Sequence, residues 1–306
     1  MSEHAQYLTL PDGSRGWLYR WLPSAPPRGV VQVVHGMAEH GERYRRFAAA
    51  LTAQGFAVYA QDLPGHGRTA ENIAALGHIA EHGSWARLLS AVHGVRAHIE
   101  QEHPGLPLFL FGHSMGSFIA QHHLIEHGAG LKGAVLSATS GTLGPLRMLG
   151  LAINRAQIRL FGPGHHSALT ETLTFKAFNK TFAPNRTPSD WLSRDPAEVD
   201  AYVADPYCGH RCSASTWAGL LSAGGALLDP ARLARIPKAL PVLLIAGSAD
   251  PVCDGGRGTH LLAEHYRKAG LSNVTTLVYE GARHELLNET CREAVTADVL
   301  DWFAAR

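Results

Sequence analysis

Short, almost continuous apolar runs recur along the chain, and stretches with helical spacing of apolar residues separate them. A strand that is apolar on both faces must be covered on both faces, which is typical of a parallel sheet packed between helices. The sequence therefore predicts an α/β fold. The runs are Gly29–Val34, Phe56–Gln61, Leu108–Phe111, Ala134–Ser137, Pro241–Ala246 and Val274–Tyr279.

Two further segments near the N-terminus, Tyr7–Leu10 and Trp17–Trp21, have the composition of strands. We expect them to form an antiparallel pair at the edge of the sheet. Together with the six apolar runs they predict a mostly parallel sheet of eight strands with helices on both faces.

The alternation of strands and helices breaks down in the middle of the chain, where glycine and proline interrupt a helix-prone stretch. A long connection inside a compact domain is usually functional. We therefore expect residues 141–228 to form a helical cap inserted before the last two strands. The core would consist of residues 1–140 and 229–306.

Charge and composition limit the classes of partner and location. Lys plus Arg is 27 and Asp plus Glu is 26, a formal net charge of +1, which gives no electrostatic reason to expect nucleic-acid binding. The N-terminal segment lacks the pattern of a signal peptide, and no apolar stretch approaches the ~18 residues of a membrane span. Four scattered cysteines fit reduced thiols, so we expect a cytoplasmic protein. Its oligomeric state cannot be deduced from these features.

A Gly-x-Ser-x-Gly motif, Gly112 to Gly116, directly follows the apolar run Leu108–Phe111 and opens a helical stretch. A serine on so tight a strand-to-helix turn needs glycine on both sides, because side chains there would clash. The turn exposes the hydroxyl at the end of the strand, next to the N–H groups of the helix. The motif predicts that Ser114 is a nucleophile.

A serine hydroxyl needs a positioned base, and the base needs a carboxylate that fixes its tautomer. His284 follows the last apolar run, and Asp250 follows the run before it. The order Ser, Asp, His along the chain is typical of this type of fold. Asp254 lies further from its strand and Asp229 precedes it, so we favour Asp250.

The loop after the first apolar run, His35 to His40, contains a glycine and comes at the carboxyl end of a strand. Such a loop supplies one backbone donor of an oxyanion hole, and the residue after the nucleophile supplies the other. We predict that the donors are the backbone N–H groups of Met37 and Met115.

Six segments resemble blocks of the monoacylglycerol lipase and lysophospholipase group of α/β-hydrolases, in the same order as in that group. The resemblance covers about Gly29 to the C-terminus. It implies an α/β-hydrolase fold and hydrolysis of monoacylglycerols to fatty acid and glycerol through an acyl-enzyme, without a cofactor. The segments are HGMAEHGERY, QDLPGHG, PGLPLFLFGHSMGS, LSRDPAEVDAYVADP, GSADPVCD and YEGARHELLNE.

Several alternatives stay open, because fold and triad do not set the substrate class. A lysophospholipase, thioesterase, carboxylesterase or aminopeptidase would carry the same three residues. A binding protein that retains the pocket without catalysis is a further alternative, against which the intact triad argues.

The resemblance also implies that Glu39, Arg43 and Tyr202 hold the polar head group of the substrate. Alternatively, Glu39 and Arg43 form an internal salt bridge that supports the loop. Cys253 resembles a cysteine near the family's site, although a small buried apolar role is favoured.

The cap is rich in apolar side chains that would line a channel for an acyl chain. An exposed apolar edge of the cap would also allow transient contact with a membrane. The residues suggested for the channel are Leu146, Met148, Leu149, Leu151, Phe175 and Phe178.

The segment from Cys208 through His210 to Cys212 contains three metal-ligating side chains. Its spacing matches no common zinc site, and the sequence offers no second pair of ligands nearby. From the sequence we expect no metal.

Overall fold

The computed structural model describes residues 2–142 and 147–306, and its eight strands form one sheet. The order across the sheet is β1-β2-β4-β3-β5-β6-β7-β8, with β1 and β2 antiparallel and the other six parallel. The predicted mostly parallel, eight-stranded architecture is confirmed. The strands are β1 (Ser2–Thr9), β2 (Arg15–Leu22), β3 (Gly29–Val34), β4 (Phe56–Gln61), β5 (Leu108–His113), β6 (Leu131–Ser137), β7 (Val242–Gly247) and β8 (Val274–Tyr279).

Helices connect the parallel strands and cover both faces of the sheet. A π-helical segment, Thr172–Lys176, joins two short helices within the cap. The α-helices among the described residues are α1 (Arg45–Ala53), α2 (Ser84–Glu102), α3 (Met115–His127), α4 (Arg147–Phe161), α5 (Ala168–Glu171), α6 (Ala177–Lys180), α7 (Pro196–Ala204), α8 (Ala214–Leu227), α9 (Pro230–Leu233), α10 (Arg257–Lys268) and α11 (Arg292–Ala304).

The central strands are buried on both faces, which explains their continuous apolar sequences. Every residue of β3, β4, β5 and β7 is buried. Alternate residues of each strand enter two separate apolar layers, so that Leu110 lies in one layer and Phe109 in the other. Helices α2, α3 and α10 cover the first layer, and α1 and α11 cover the second. Each large side chain buried in this way contributes about 1.5–3 kcal/mol through the hydrophobic effect.

The N-terminal hairpin closes one edge of the sheet, as predicted. Tyr7 on β1 and Trp17 on β2 lie opposite each other, with ring centroids 4.7 Å apart. Aromatic pairs across antiparallel strands stabilise the register of a hairpin. The pairing of β2 with β4 then joins the hairpin to the parallel strands.

Helices α4 to α8 lie between β6 and β7 in the chain, where the cap is expected. They have an apolar cluster of their own, built around Trp191, Leu192 and Tyr202. The C-terminal half of α8 instead packs into the core beneath the sheet through Ala223 and Leu227. No helix in residues 2–142 and 147–306 has both the length and the apolar composition needed to cross a bilayer.

Candidate active site

Ser114 lies on a sharp turn between the central strand β5 and helix α3, with backbone angles φ 52° and ψ −121°. The turn is tight enough to exclude side chains on both sides. A Cβ atom on Gly112 would lie 2.6 Å from the carbonyl oxygen of Gly116, and one on Gly116 would lie 2.2 Å from that of Val34. Glycine at both positions is therefore a steric requirement of the turn, as the motif predicts.

The structure brings together the three side chains that the sequence selects for catalysis. The Oγ atom of Ser114 lies 2.9 Å from Nε2 of His284, and Nδ1 of His284 lies 2.9 Å from Oδ2 of Asp250. The three residues follow β5, β8 and β7, whose carboxyl ends meet at one edge of the sheet. This hydrogen-bonded chain can make the hydroxyl nucleophilic.

The pKa shifts of Asp250 and His284 indicate an ionised carboxylate beside the imidazole. Burial by itself would raise the pKa of Asp250, but the charge and hydrogen bond of His284 lower it below its usual value. Burial would likewise lower the pKa of His284, but Asp250 raises it above 6.5. Asp250 therefore stays ionised, and its charge would stabilise a protonated His284.

A second histidine, His113, lies beside the triad with its ring centroid 4.9 Å from that of His284. Burial, and then repulsion from His284, lower the pKa of His113 to about 3. His113 is therefore neutral at physiological pH and adds no positive charge next to the base. Its position directly before Ser114 in the motif is the one sequence signal for its presence here.

The loop after β3 approaches the turn that carries Ser114. A Cβ atom on Gly36 would lie 3.2 Å from Cβ of Ser114, so the loop backbone passes close to the nucleophile. Met37 follows in this loop, and Met115 is the first residue of α3. The first N–H groups of a helix have no partner within the helix. Both predicted oxyanion donors thus lie on segments that border Ser114.

Ala38, the next residue of the loop, has a left-handed backbone with φ 58°. Such a conformation costs an alanine about 1–2 kcal/mol. The carbonyl oxygen of Ala38 accepts hydrogen bonds from the hydroxyl of Tyr202 at 2.9 Å and from the N–H of Gly209 at 2.9 Å. Both donors belong to residues 141–228, the predicted cap, and these contacts hold the loop in its left-handed conformation.

Glu39 and Arg43 form the internal ion pair that the sequence left as an alternative. Arg43 donates to Glu39 at 2.9 Å and binds both carboxylate oxygens of Glu285, at 2.6 and 2.7 Å. Glu39 also accepts from the N–H of Gly36 at 2.6 Å. These hydrogen bonds therefore stabilise the position of the loop that contains Met37. Contact of Glu39 and Arg43 with a substrate head group stays a prediction.

Glu285 was not selected from the sequence, although it directly follows His284. Burial would raise the pKa of Glu285, but Arg43 lowers it to about 2. Glu39 has the opposite balance, because burial raises its pKa more than Arg43 lowers it. Glu285 is thus the principal counter-ion of Arg43, and this pair joins the loop after β3 to the segment that carries the base.

A cluster of three aromatic side chains contacts the triad through Trp191. The sequence suggested two of them, Phe175 and Phe178, but not Trp191. The ring of Trp191 lies 4.7 Å from that of His284, and Phe175 stacks on Trp191 at 5.6 Å. Phe178 contacts the same tryptophan at 5.4 Å. Trp191 belongs to no motif, so nothing in the sequence indicated its position.

The remaining side chains suggested for an acyl channel differ in their exposure to solvent. Leu151 is buried, whereas the side chains of Met148 and Leu149 are 59% and 55% exposed. Leu146 lies outside the described residues. Phe175 and Phe178 are therefore the predicted channel residues that the structure connects, through Trp191, to the triad.

Cys253 packs against the triad from the side of Asp250. It is fully buried, and its Sγ lies 3.3 Å from Oδ2 of Asp250. Burial and the neighbouring carboxylate raise the pKa of Cys253 above its usual value. Cys253 thus remains a thiol that donates to the carboxylate, in addition to filling space.

Comparison with known proteins places the chain in a family. A family model described as serine aminopeptidase, S33, matches residues 25–291. A monoacylglycerol lipase of Mycolicibacterium smegmatis is 31% identical over 292 residues, which cover 93% of this chain and 91% of the relative. The human monoglyceride lipase is 31% identical over 291 residues, covering 92% and 84%.

A solved structure gives the same assignment. A carboxyl esterase from Bacillus coagulans in complex with glycerol superimposes with a TM-score of 0.90 at 29% identity, covering 100% of this chain and 99% of the esterase. The eight-stranded sheet agrees with this likeness. The chain therefore belongs to the serine aminopeptidase S33 family of α/β-hydrolases and is a serine ester hydrolase of the monoacylglycerol lipase group.

Proposed function

We propose that this protein hydrolyses monoacylglycerols to a fatty acid and glycerol through an acyl-enzyme on Ser114. The observation that carries the proposal is the hydrogen-bonded chain from Ser114 through His284 to Asp250, with two distances of 2.9 Å. The names of the relatives, monoacylglycerol lipase and monoglyceride lipase, support the choice of substrate.

In the first half of the reaction, Oγ of Ser114 attacks the ester carbonyl carbon while Nε2 of His284 takes the hydroxyl proton. The carbonyl oxygen becomes an oxyanion, and we assign its donors as the N–H groups of Met37 and Met115. Loss of one such donor costs an enzyme about 2.7–4 kcal/mol of transition-state stabilisation.

Collapse of the tetrahedral intermediate breaks the bond between the carbonyl carbon and the glycerol oxygen. His284 gives its proton to that oxygen, glycerol leaves, and the acyl group stays on Ser114. In the second half, His284 takes a proton from the water that attacks the acyl carbon. The bond between that carbon and Oγ of Ser114 then breaks, His284 returns the proton to Oγ, and the fatty acid leaves. Asp250 stays ionised throughout and keeps Nδ1–H of His284 in place.

The two ends of the substrate would meet different surroundings. We assign the acyl chain to the aromatic side of the site, formed by Trp191, Phe175 and Phe178. The polar end would face Glu39, Arg43 and Tyr202. Because Arg43 is already bound by two carboxylates, we assign it the role of positioning the loop.

Exposed apolar side chains on the outer side of the cap favour transient contact with a lipid surface. Met148, Leu149, Leu160 and Phe161 on α4 are 59%, 55%, 74% and 64% exposed. Co-flotation with phosphatidylcholine vesicles tests this contact. We expect the wild type to float in part and a double variant, Leu160→Glu with Phe161→Glu, to stay in solution; a wild type that does not float contradicts it.

A substrate panel tests the proposed activity. Wild type and Ser114→Ala would be assayed on a long-chain monoacylglycerol, a lysophospholipid, a short p-nitrophenyl ester and an aminoacyl nitroanilide. We expect the highest kcat/KM on the monoacylglycerol and a loss of about 10⁴-fold or more in the variant. A thermal melt of the variant checks that it is folded.

The same panel decides between the proposal and a second candidate, a general carboxylesterase. The close superposition on the Bacillus coagulans esterase favours that candidate. Rapid turnover of the short ester with slow turnover of the monoacylglycerol would support it. Full activity in Ser114→Ala would contradict both.

A further inference from the structure

A cluster of three potential metal ligands lies next to the segment that binds the loop after β3, His35 to His40, which we call the oxyanion loop. His66 belongs to the loop after β4, whereas His210 and Cys212 belong to the segment between α7 and α8. One ligand atom from each of the three residues lies within 4.8 Å of the other two. The rings of His66 and His210 meet edge to face, with centroids 5.2 Å apart. The fold therefore brings a histidine that is distant in the chain next to His210 and Cys212, two of the three ligating residues of that segment.

Hydrogen bonds fix the orientation of both imidazole rings. Nδ1 of His66 lies 3.0 Å from the carbonyl oxygen of Pro64, and Nδ1 of His210 lies 3.2 Å from that of Tyr207. A carbonyl can only accept, so each Nδ1 must carry the proton and donate it. The neutral ring then has its lone pair on Nε2, which is the arrangement of a metal-binding histidine.

Both Nε2 atoms lack a partner. Among the described residues, Nε2 of His66 and Nε2 of His210 are buried without a hydrogen bond. His66 is fully buried, so no solvent compensates its lone pair. Buried polar atoms are nearly always paired, so these two Nε2 atoms are free to bind a ligand.

We propose that His66, His210 and Cys212 bind one Zn²⁺ ion through Nε2, Nε2 and Sγ. Two imidazoles and one thiolate are typical zinc ligands, at about 2.0–2.1 Å for nitrogen and 2.3 Å for sulfur. The ligand atoms lie within 4.8 Å of one another, so the three side chains would move inward to reach these bond lengths. A water molecule would take the fourth position of the tetrahedron.

Binding involves no change of oxidation state. The thiol of Cys212 loses its proton to solvent as the bond between Zn²⁺ and sulfur forms. His210 is partly exposed, which gives the ion and the proton a route to the cluster.

A neighbouring group, His40, Asp205 and Cys208, also brings ligand atoms together. There, Nε2 of His40 already binds Oδ2 of Asp205 at 2.8 Å. His40 and Asp205 are thus already paired with each other, unlike the two imidazoles of the first cluster. The neighbouring group supplies a matched control cysteine, Cys208, four positions before Cys212 in the same segment.

The site would connect the loop after β4 to the segment between α7 and α8, which also binds the oxyanion loop. Gly209, directly before His210, donates to the carbonyl oxygen of Ala38. Zn²⁺ would anchor this segment to the loop after β4 through His66. The ion thus has a structural role, distinct from ester hydrolysis, and it should raise the melting temperature of the protein.

Metal-free protein titrated with Co²⁺, then with Zn²⁺, tests the site. We expect one Co²⁺ per chain with a thiolate-to-cobalt charge-transfer band, displacement of that band by Zn²⁺, and a Zn²⁺-dependent rise in melting temperature. His210→Ala and Cys212→Ser should each weaken binding at least tenfold and abolish the band. Cys208→Ser should behave as the wild type, and metal-free melts confirm that all three variants fold.

Three results would overturn the site. One is a wild type that binds Co²⁺ without the charge-transfer band, since the ion then sits on other histidines. Another is wild-type affinity in His210→Ala or Cys212→Ser. The third is loss of binding in Cys208→Ser alone, which would move the ion to the neighbouring group.

Discussion

Tyr202, on cap helix α7, donates its hydroxyl to the carbonyl oxygen of Ala38 in the oxyanion loop at 2.9 Å. Ala38 has a left-handed backbone, which persists only when surrounding contacts hold it. Contacts from the predicted cap therefore fix the loop that carries the proposed donor Met37.

Replacing Tyr202 with phenylalanine tests this relationship. The ring can still pack against Arg43, which lies 4.9 Å from its centroid, but one of two hydrogen bonds to Ala38 is lost. A net hydrogen bond is worth about 0.5–1.5 kcal/mol, so we expect kcat to fall about 2- to 12-fold with little change in KM. Steady-state kinetics on a p-nitrophenyl ester give both constants. Tyr7→Phe, on the exposed edge strand, is the control; an unaltered kcat in Tyr202→Phe would contradict the role.

The buried network around Arg43 should be essential to stability. Arg43→Met leaves the carboxylates of Glu39 and Glu285 without their cation, and breaking a buried ion pair costs about 3–5 kcal/mol. Urea unfolding monitored by tryptophan fluorescence measures the loss. Arg186→Met removes the exposed pair with Asp200 and should leave the midpoint unchanged. Equal, small effects in both variants would show that the network is not stabilising.

The pH dependence of kcat/KM should follow the base. The pKa of His284 is raised above 6.5 by Asp250, and only the neutral ring accepts the serine proton. Activity should therefore fall as pH decreases through a value above 6.5, with the protein still folded by fluorescence. Asp250→Asn should move that midpoint down and lower kcat about 10⁴-fold. A flat profile between pH 5 and 8 in the wild type would exclude His284 as the base.

The turn at Ser114 should not tolerate a methyl group on its second glycine. In Gly116→Ala the new Cβ would lie 2.2 Å from the carbonyl oxygen of Val34 and 2.4 Å from that of His35. Such overpacking costs about 1–3 kcal/mol and displaces the nucleophile, so activity should be lost as well. Gly164→Ala is the control, because the nearest atoms to its Cβ lie 3.9 Å away. A fully active Gly116→Ala protein would refute the steric argument.

Much of the fold and the triad could be predicted because local patterns determine them. Continuous apolar runs can be satisfied only by strands covered on both faces, and three of them, β3, β4 and β8, begin and end at the predicted residues. Ser114 is marked by its two glycines. Asp250 and His284 follow from their positions after successive strands, because the carboxyl ends of parallel strands meet at one edge.

The rest depends on contacts between segments distant in the chain, for which the sequence has no local signal. The role of Glu285 is visible only when Arg43 reaches it across the site. Trp191 approaches His284 from the cap, whose packing follows no repeat. His66 joins His210 and Cys212 for the same reason, through the meeting of a core loop with a cap segment.

Covalent labelling of Ser114 by a fluorophosphonate tests the central claim most directly. The rate would be followed by intact mass in the wild type, Ser114→Ala and His284→Gln, with the modified peptide sequenced. We predict one adduct per wild-type chain on Ser114, none on Ser114→Ala, and a labelling rate for His284→Gln lower by several orders of magnitude. A wild type that is not labelled while folded, or a His284→Gln variant labelled at the wild-type rate, would contradict the claim that His284 activates Ser114.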